Sequence, residues 1–147
     1  MTINAPRLKQ YGTLFLSMLI ILSGSLQAMN TKSELNRPQE TIQQWVSFWN
    51  NYDLNQLNNL FIANKQLSYF SSETEGLITG FDAIKKHHIN FGFVPGGKKQ
   101  DNSLWLKDLN FQQLGDNVFQ VTAIWYFNNV KKQLTQKGPV TFTLIPD

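Results

Sequence analysis

The sequence predicts an α+β fold, with helices first and an antiparallel meander after them. Three observations carry that prediction. Ile42, Trp45, Val46, Phe48 and Trp49 recur at helical spacing, with Gln43, Gln44, Ser47 and Asn50 on the opposite face. In the last third, Phe119, Val121, Ala123, Trp125 and Phe127 alternate with Val118, Thr122, Ile124 and Tyr126, the period-two pattern of a strand. Between two β-rich runs stands Gly115-Asp116-Asn117, a hairpin turn. Helices followed by sequential strands argue for segregated α and β layers.

The first stretch is set apart from this domain. Arg7 and Lys9 form a basic start, Thr13 to Leu22 is an apolar run, and small residues follow at Ser23, Gly24, Ser25 and Ala28. This is the layout of a secretory signal peptide over residues 1–28, cleaved after Ala28. As a membrane anchor the run is too short, since ten helical residues span about 15 Å against a hydrocarbon core of about 30 Å. The expectation is an exported chain, periplasmic or secreted, with no stable membrane span once the leader is gone. Loss of Arg7 and Lys9 lowers Lys plus Arg from 13 to 11 against 10 acidic residues, and the formal charge from +3 to +1. Nucleic acid is therefore not an expected partner. The chain has no cysteine, which excludes disulfides, thiolate metal sites and a lipoprotein anchor. An exported domain of this kind relies on its core, and 11 Phe, 4 Trp and 4 Tyr can supply one.

Residues 29–38 read as a polar tether and 39–147 as the domain. Pro38 suits the first position of a helix, where its missing N–H costs nothing. Asn51 and Tyr52 interrupt the helical pattern, and Asp53 is a natural N-cap for a second helix striped by Leu54, Leu57, Leu60 and Phe61. Lys65 to Ser72 turns towards strand character around Leu67, Tyr69 and Phe70. A polar turn over Ser71 to Gly76 leads to a short return strand, Leu77 to Thr79. Gly80 ends that strand, and Asp82 is placed to cap a helix over Ala83 to Phe91. Phe93 to Asn102, with Pro95, Gly96 and Gly97, reads as a loop. Strands follow over Ser103 to Leu114, Val118 to Asn128 and Val140 to Ile145, with Lys131 to Lys137 as a polar connection.

Several of these phrases resemble the nuclear transport factor 2-like superfamily, which includes ketosteroid isomerases and SnoaL-type polyketide cyclases. They are Trp45-x-x-Phe48-Trp49-Asn50, Tyr52-Asp53-Leu54-x-x-Leu57, Leu60-Phe61 and Gly80-Phe81-Asp82-Ala83-Ile84. The resemblance implies a cone: a strongly curved antiparallel sheet wrapped around three helices from the N-terminal half, with a pocket between them. It also allows one chemistry to be checked residue by residue. The oxyanion-hole tyrosine of ketosteroid isomerases falls on Trp45, and the general-base aspartate on Phe70, with Ser71 beside it. The second acid belongs to a strand matching Val140 to Ile145, which has no ionisable residue. None of these side chains moves a proton near neutral pH. Family members also continue past the equivalent of Pro146-Asp147 with a turn and one more strand. The expectation is a sheet one strand short, with an edge that must be covered, or a truncated reading frame.

Candidate groups for other chemistry are few. His87 and His88 lie on the third helix and cannot point the same way; spacing favours His87 beside Ile84 and Phe91, and His88 also lies within reach of Ile84. Either is a weak acid–base candidate, against the blander alternative of a surface or packed histidine. No H-x-x-x-H or carboxylate cluster accompanies them, so no metal site is expected. Glu73, Glu75 and Asp82 are the carboxylates nearest the pocket, and they read as solvated turn charges and a cap. Gly96-Gly97-Lys98-Lys99 lacks the strand–loop–helix context of a phosphate loop and reads as a mobile rim loop. Aromatic residues are the richest signal. The expected pocket is lined by Trp45, Trp49, Tyr69, His88, Phe91, Trp105, Trp125 and Phe127.

The functional expectation is an exported domain that binds a small apolar or aromatic molecule, without cofactor or metal. One alternative is a SnoaL-like isomerase, cyclase or lyase using a pocket histidine. Another is a protein–protein module, a homodimer for instance, formed through the outer sheet face. A histidine in the cavity within hydrogen-bond reach of Tyr69 or a carboxylate favours the enzyme. A cavity walled by Trp, Phe and Leu favours binding.

Overall fold

The computed structural model describes residues 37–145. The expected leader, most of the expected tether and Pro146-Asp147 lie outside the described residues. The described residues from Pro38 onward belong to one compact unit. Pro38, the last residue of the expected tether, is helical and buried.

Helix α1 spans 37–51 and buries Ile42, Trp45, Phe48 and Trp49, the stripe its spacing predicted. Tyr52 ends it with φ of 53°, a left-handed backbone that a bulky aromatic rarely adopts. Three contacts hold Tyr52 there: its ring is buried, its carbonyl accepts from Val94 N–H at 3.0 Å, and its hydroxyl accepts from Asn102 Nδ2 at 3.1 Å. Asp53 caps the next turn as expected, its carboxylate accepting from Asn55 N–H at 3.0 Å. That turn is short. A 3-10 segment, Leu54–Gln56, passes into α2, Leu57–Leu60, and buries only Leu54 and Leu57.

Strands β1 (Ser68–Ser71) and β2 (Thr74–Thr79) form an antiparallel hairpin. The return strand starts at Thr74 rather than Leu77, since the tight turn at Ser72-Glu73 needs fewer residues than the polar run suggested. Gly80, at φ 90°, leads into α3, Phe81–Phe91. Asp82 is not the cap. It sits inside the first helical turn, where its charge meets the positive end of the helix dipole.

The loop after α3 differs from expectation. It is pinned to the α1–α2 junction rather than free at a rim: Gly96 N–H donates to Asp53 Oδ1 at 3.0 Å, and Lys98 N–H to Asn51 O at 2.9 Å. Gly97 has φ of 76°, and a Cβ added there would stand 2.7 Å from Asn51 O. Gly96 shares the left-handed backbone but faces open space. We predict that Gly97→Ala lowers stability by roughly 1–2 kcal/mol more than Gly96→Ala, through that clash. Urea unfolding of the two variants reads the difference.

Strands β3 (Ser103–Gly115), β4 (Val118–Asn129) and β5 (Leu134–Leu144) form the main sheet, in that order and antiparallel. A register shift after Lys107, with Asp108 at φ 56°, bends β3. The sheet structure is thus in two pieces, the β1–β2 hairpin and this meander. In β4 the predicted inner residues Phe119, Val121, Ala123 and Phe127 are buried. The Lys131 to Lys137 stretch is not all connection, because Leu134 to Lys137 already pairs with β4. Its polar residues suit an outermost strand, and so does Pro139, which has no N–H to give a ladder.

One side chain ties the layers together. Asn50 on α1 accepts from Leu104 N–H at 2.7 Å and donates to Leu104 O at 3.0 Å. It thereby supplies β3 with the two bonds a neighbouring strand would make.

Candidate functional site

The inner face of the meander, α1 and the β1 hairpin leave a cavity of about 700 Å³ between them. Its walls follow from the periodicities of the elements. Ile42, Trp45 and Trp49 come from one stripe of α1, and Tyr69 from β1. Phe91 ends α3, while Trp125 and Phe127 share the inner face of β4. Strand β5 adds Val140, Phe142 and Leu144, while Leu60 ends α2 and Phe61 follows it. The polar groups are Thr41, Ser68, Ser71, Ser72, Gln136, Thr141 and Thr143, with Glu73 the one charged side chain among the described lining residues.

Six of the eight expected pocket residues are on these walls: Trp45, Trp49, Tyr69, Phe91, Trp125 and Phe127. Two are not. Trp105 lies opposite Tyr126 in the β3–β4 register, on the outer face, and stacks on it at 5.3 Å and 10°. It borders a separate hollow with Ile42, Val46, Leu106 and Phe111. His88 is fully buried beside the cavity rather than in its wall, ringed by Phe48, Trp49, Phe61, Tyr69 and Phe93. Spacing had favoured His87 as the inward histidine, but α3 buries Ile84 and His88 instead, and His87 sits on the flank.

The His88 environment fixes its chemistry. Its Nδ1 lies 2.8 Å from Ile84 O, a carbonyl that can only accept, so Nδ1 carries the proton and Nε2 the lone pair. Nε2 is buried with no partner. Burial pushes the pKa down to about 4, against a smaller upward pull from the Ile84 carbonyl. His88 is therefore a neutral core residue at pH 7. Burial also lowers His87, offset in part by the Glu73 carboxylate, and its Nε2 likewise has no partner. The Tyr69 phenol is held protonated by burial. Phe70, matched by the family's general-base position, borders the cavity between Tyr69 and Ser71 and is 78 % exposed.

Trp125 owes its place to a glycine. It pairs directly with Gly138, and a Cβ at that position would stand 2.9 Å from Trp125 Cζ2. We predict that Gly138→Val drives the indole towards the cavity and reduces its capacity for a bound molecule. Loss of ligand from the variant, read by mass spectrometry of the native protein, checks this.

Among the described residues no three His, Cys, Asp or Glu side chains come together as a metal site, and no helix is long and apolar enough to cross a membrane. Three helices, curved antiparallel strands and a cavity between them define the α+β fold of nuclear transport factor 2-like proteins. The solved structure of a nuclear transport factor 2 (NTF2-like) superfamily protein from Salmonella enterica subsp. enterica serovar Typhimurium str. LT2 shares it. The match has a TM-score of 0.57 over 77% of this chain and 78% of that one. At 16% sequence identity the likeness is one of fold. No protein-family model and no curated protein matches the sequence.

Proposed function

We propose that this chain is an exported domain that holds one small, largely apolar or aromatic molecule in the cavity, and that it does not perform the acid–base chemistry of ketosteroid isomerases. The observation that carries the reading is the cavity itself: about 700 Å³, walled chiefly by Trp, Phe, Leu and Ile side chains. That volume lies within the range of pockets for drug-sized ligands. The inward side chains that could handle a proton are poorly suited to it, with Tyr69 held protonated and His88 neutral and outside the wall. Export rests on the leader's layout, Arg7 and Lys9 before the Thr13 to Leu22 run.

Native mass spectrometry of the exported protein is the test. A retained small molecule supports the reading, and a protein that carries none and takes up none from a hydrophobic extract contradicts it. The same spectrum reports whether the chain is a homodimer. A β,γ-unsaturated ketosteroid is expected to isomerise no faster with the protein than in buffer. The enzyme reading keeps one observation in its favour. The Glu73 charge acts on His87, whose ring lies 5.8 Å from that of Tyr69. Turnover abolished by His87→Gln would establish it.

A further inference from the structure

We infer that the molecule this cavity takes is a short peptide in extended form, added as a strand between β1 and β5. The inference rests on the small-molecule reading of the cavity and names the class of ligand. It comes from how each strand borders the space. A strand that turns a face to a cavity contributes alternate residues, as β4 does with Trp125 and Phe127. Strands β1 and β5 contribute unbroken runs instead, Ser68 to Ser71 and Pro139 to Leu144. Both parities of a strand meet the same space only along its edge. Both edges are open: among the described residues β1 pairs with β2 alone, and β5 with β4 alone.

Open edges decide what chemistry fits. Pro139 has no N–H, and it leaves the β4–β5 ladder unbroken only if its position points away from β4. Thr141 and Thr143 share its parity, so their N–H and C=O groups point to the open edge as well. Another backbone matches such a row of donors and acceptors, and a compact hydrocarbon does not. Trp45, Trp125 and Phe142 border the space between the edges, which asks for apolar side chains at alternate positions of the peptide. Phe70, on β1 and 78 % exposed, is a large apolar ring that a strand laid along β1 would cover. Glu73 is the one charged side chain among the described lining residues, so an uncharged segment avoids burying a charge without a partner. The run from Pro139 to Leu144 sets the length at about six residues, an ordinary strand.

Titration with the peptide acetyl-Thr-Val-Thr-Val-Thr-Val-amide and two N-methylated forms of it tests the pairing, with the wall tryptophans reporting binding. One form is methylated at its threonines and the other at its valines, so each keeps every side chain but loses the N–H groups along one edge. The unmodified peptide is expected to saturate at one per chain. Each methylated form should bind at least about tenfold more weakly, because each loses its bonds to one flanking strand. Thr141→Pro removes an N–H from the open edge of β5 and should weaken the unmodified peptide severalfold. Equal binding of the three forms overturns the added strand and leaves the cavity reading standing. So does a protein that ignores the peptides yet takes up a neutral naphthylamine fluorophore, whereas binding of neither overturns both. A second copy seated between the edges would appear in native mass spectra as a dimer that excludes the peptide, and it too would overturn the inference.

Discussion

Between pH 7 and pH 5 the domain is expected to lose on the order of 2 kcal/mol of stability through His88 alone. The sign follows from where the proton is refused. In the unfolded chain His88 titrates near the usual 6.5, while in the fold burial holds it down to about 4. Unfolding therefore takes up a proton anywhere between these values. Stability is fully present above the unfolded pKa and declines as pH falls towards the folded one. The charged groups around His88 do not rescue it: His87 on the same helix is itself depressed, and Tyr69 from β1 is a neutral phenol. His88→Leu should remove most of this sensitivity while folding at pH 7 at least as well. The variant discards a buried nitrogen that lacks a partner. Urea unfolding at pH 7 and pH 5, for both proteins, decides it. An unchanged acid loss in the variant would show that other groups carry it.

Asn50→Ala is expected to cost about 2–4 kcal/mol, because it strands both polar groups of Leu104 in a part-buried setting. Each unpaired backbone group carries a desolvation penalty of about 1–3 kcal/mol. Two control variants sharpen this. Asn50→Asp keeps an acceptor for Leu104 N–H but faces Leu104 O with a carboxylate, so it should fall nearly as far as Ala. Asn51→Ala, one residue on, loses only an exposed bond to Ser47 and should be close to neutral. Equal effects at Asn50 and Asn51 would deny the tie between α1 and β3. Chemical denaturation monitored by tryptophan fluorescence provides the numbers.

Where one periodicity decided a position, the residues could be read in advance. The α1 stripe and the alternation of β4 placed Trp45, Trp49, Trp125 and Phe127 because each element buries a single continuous face. Trp105 went astray for lack of a register. Its inward neighbours Leu104 and Leu106 hold the other parity, and only pairing with Tyr126 shows which face it joins. The histidines were ambiguous because they are adjacent on α3, and the contact that distinguishes them comes from Phe48, far earlier in the chain. The wall from β5 was half hidden: Gly138 and Pro139 resemble a loop, yet an outermost strand tolerates both. Gly96-Gly97 looked free because its anchors, Asn51 and Asp53, lie more than forty residues earlier.

The central claim is that this fold keeps an open, aromatic-walled cavity for a small molecule. Titration of the protein with a neutral naphthylamine fluorophore tests it most directly, by energy transfer from the wall tryptophans. Saturable transfer at one probe per chain is predicted, weakened in Gly138→Val. Transfer that never saturates, or that is the same in both proteins, would contradict the account.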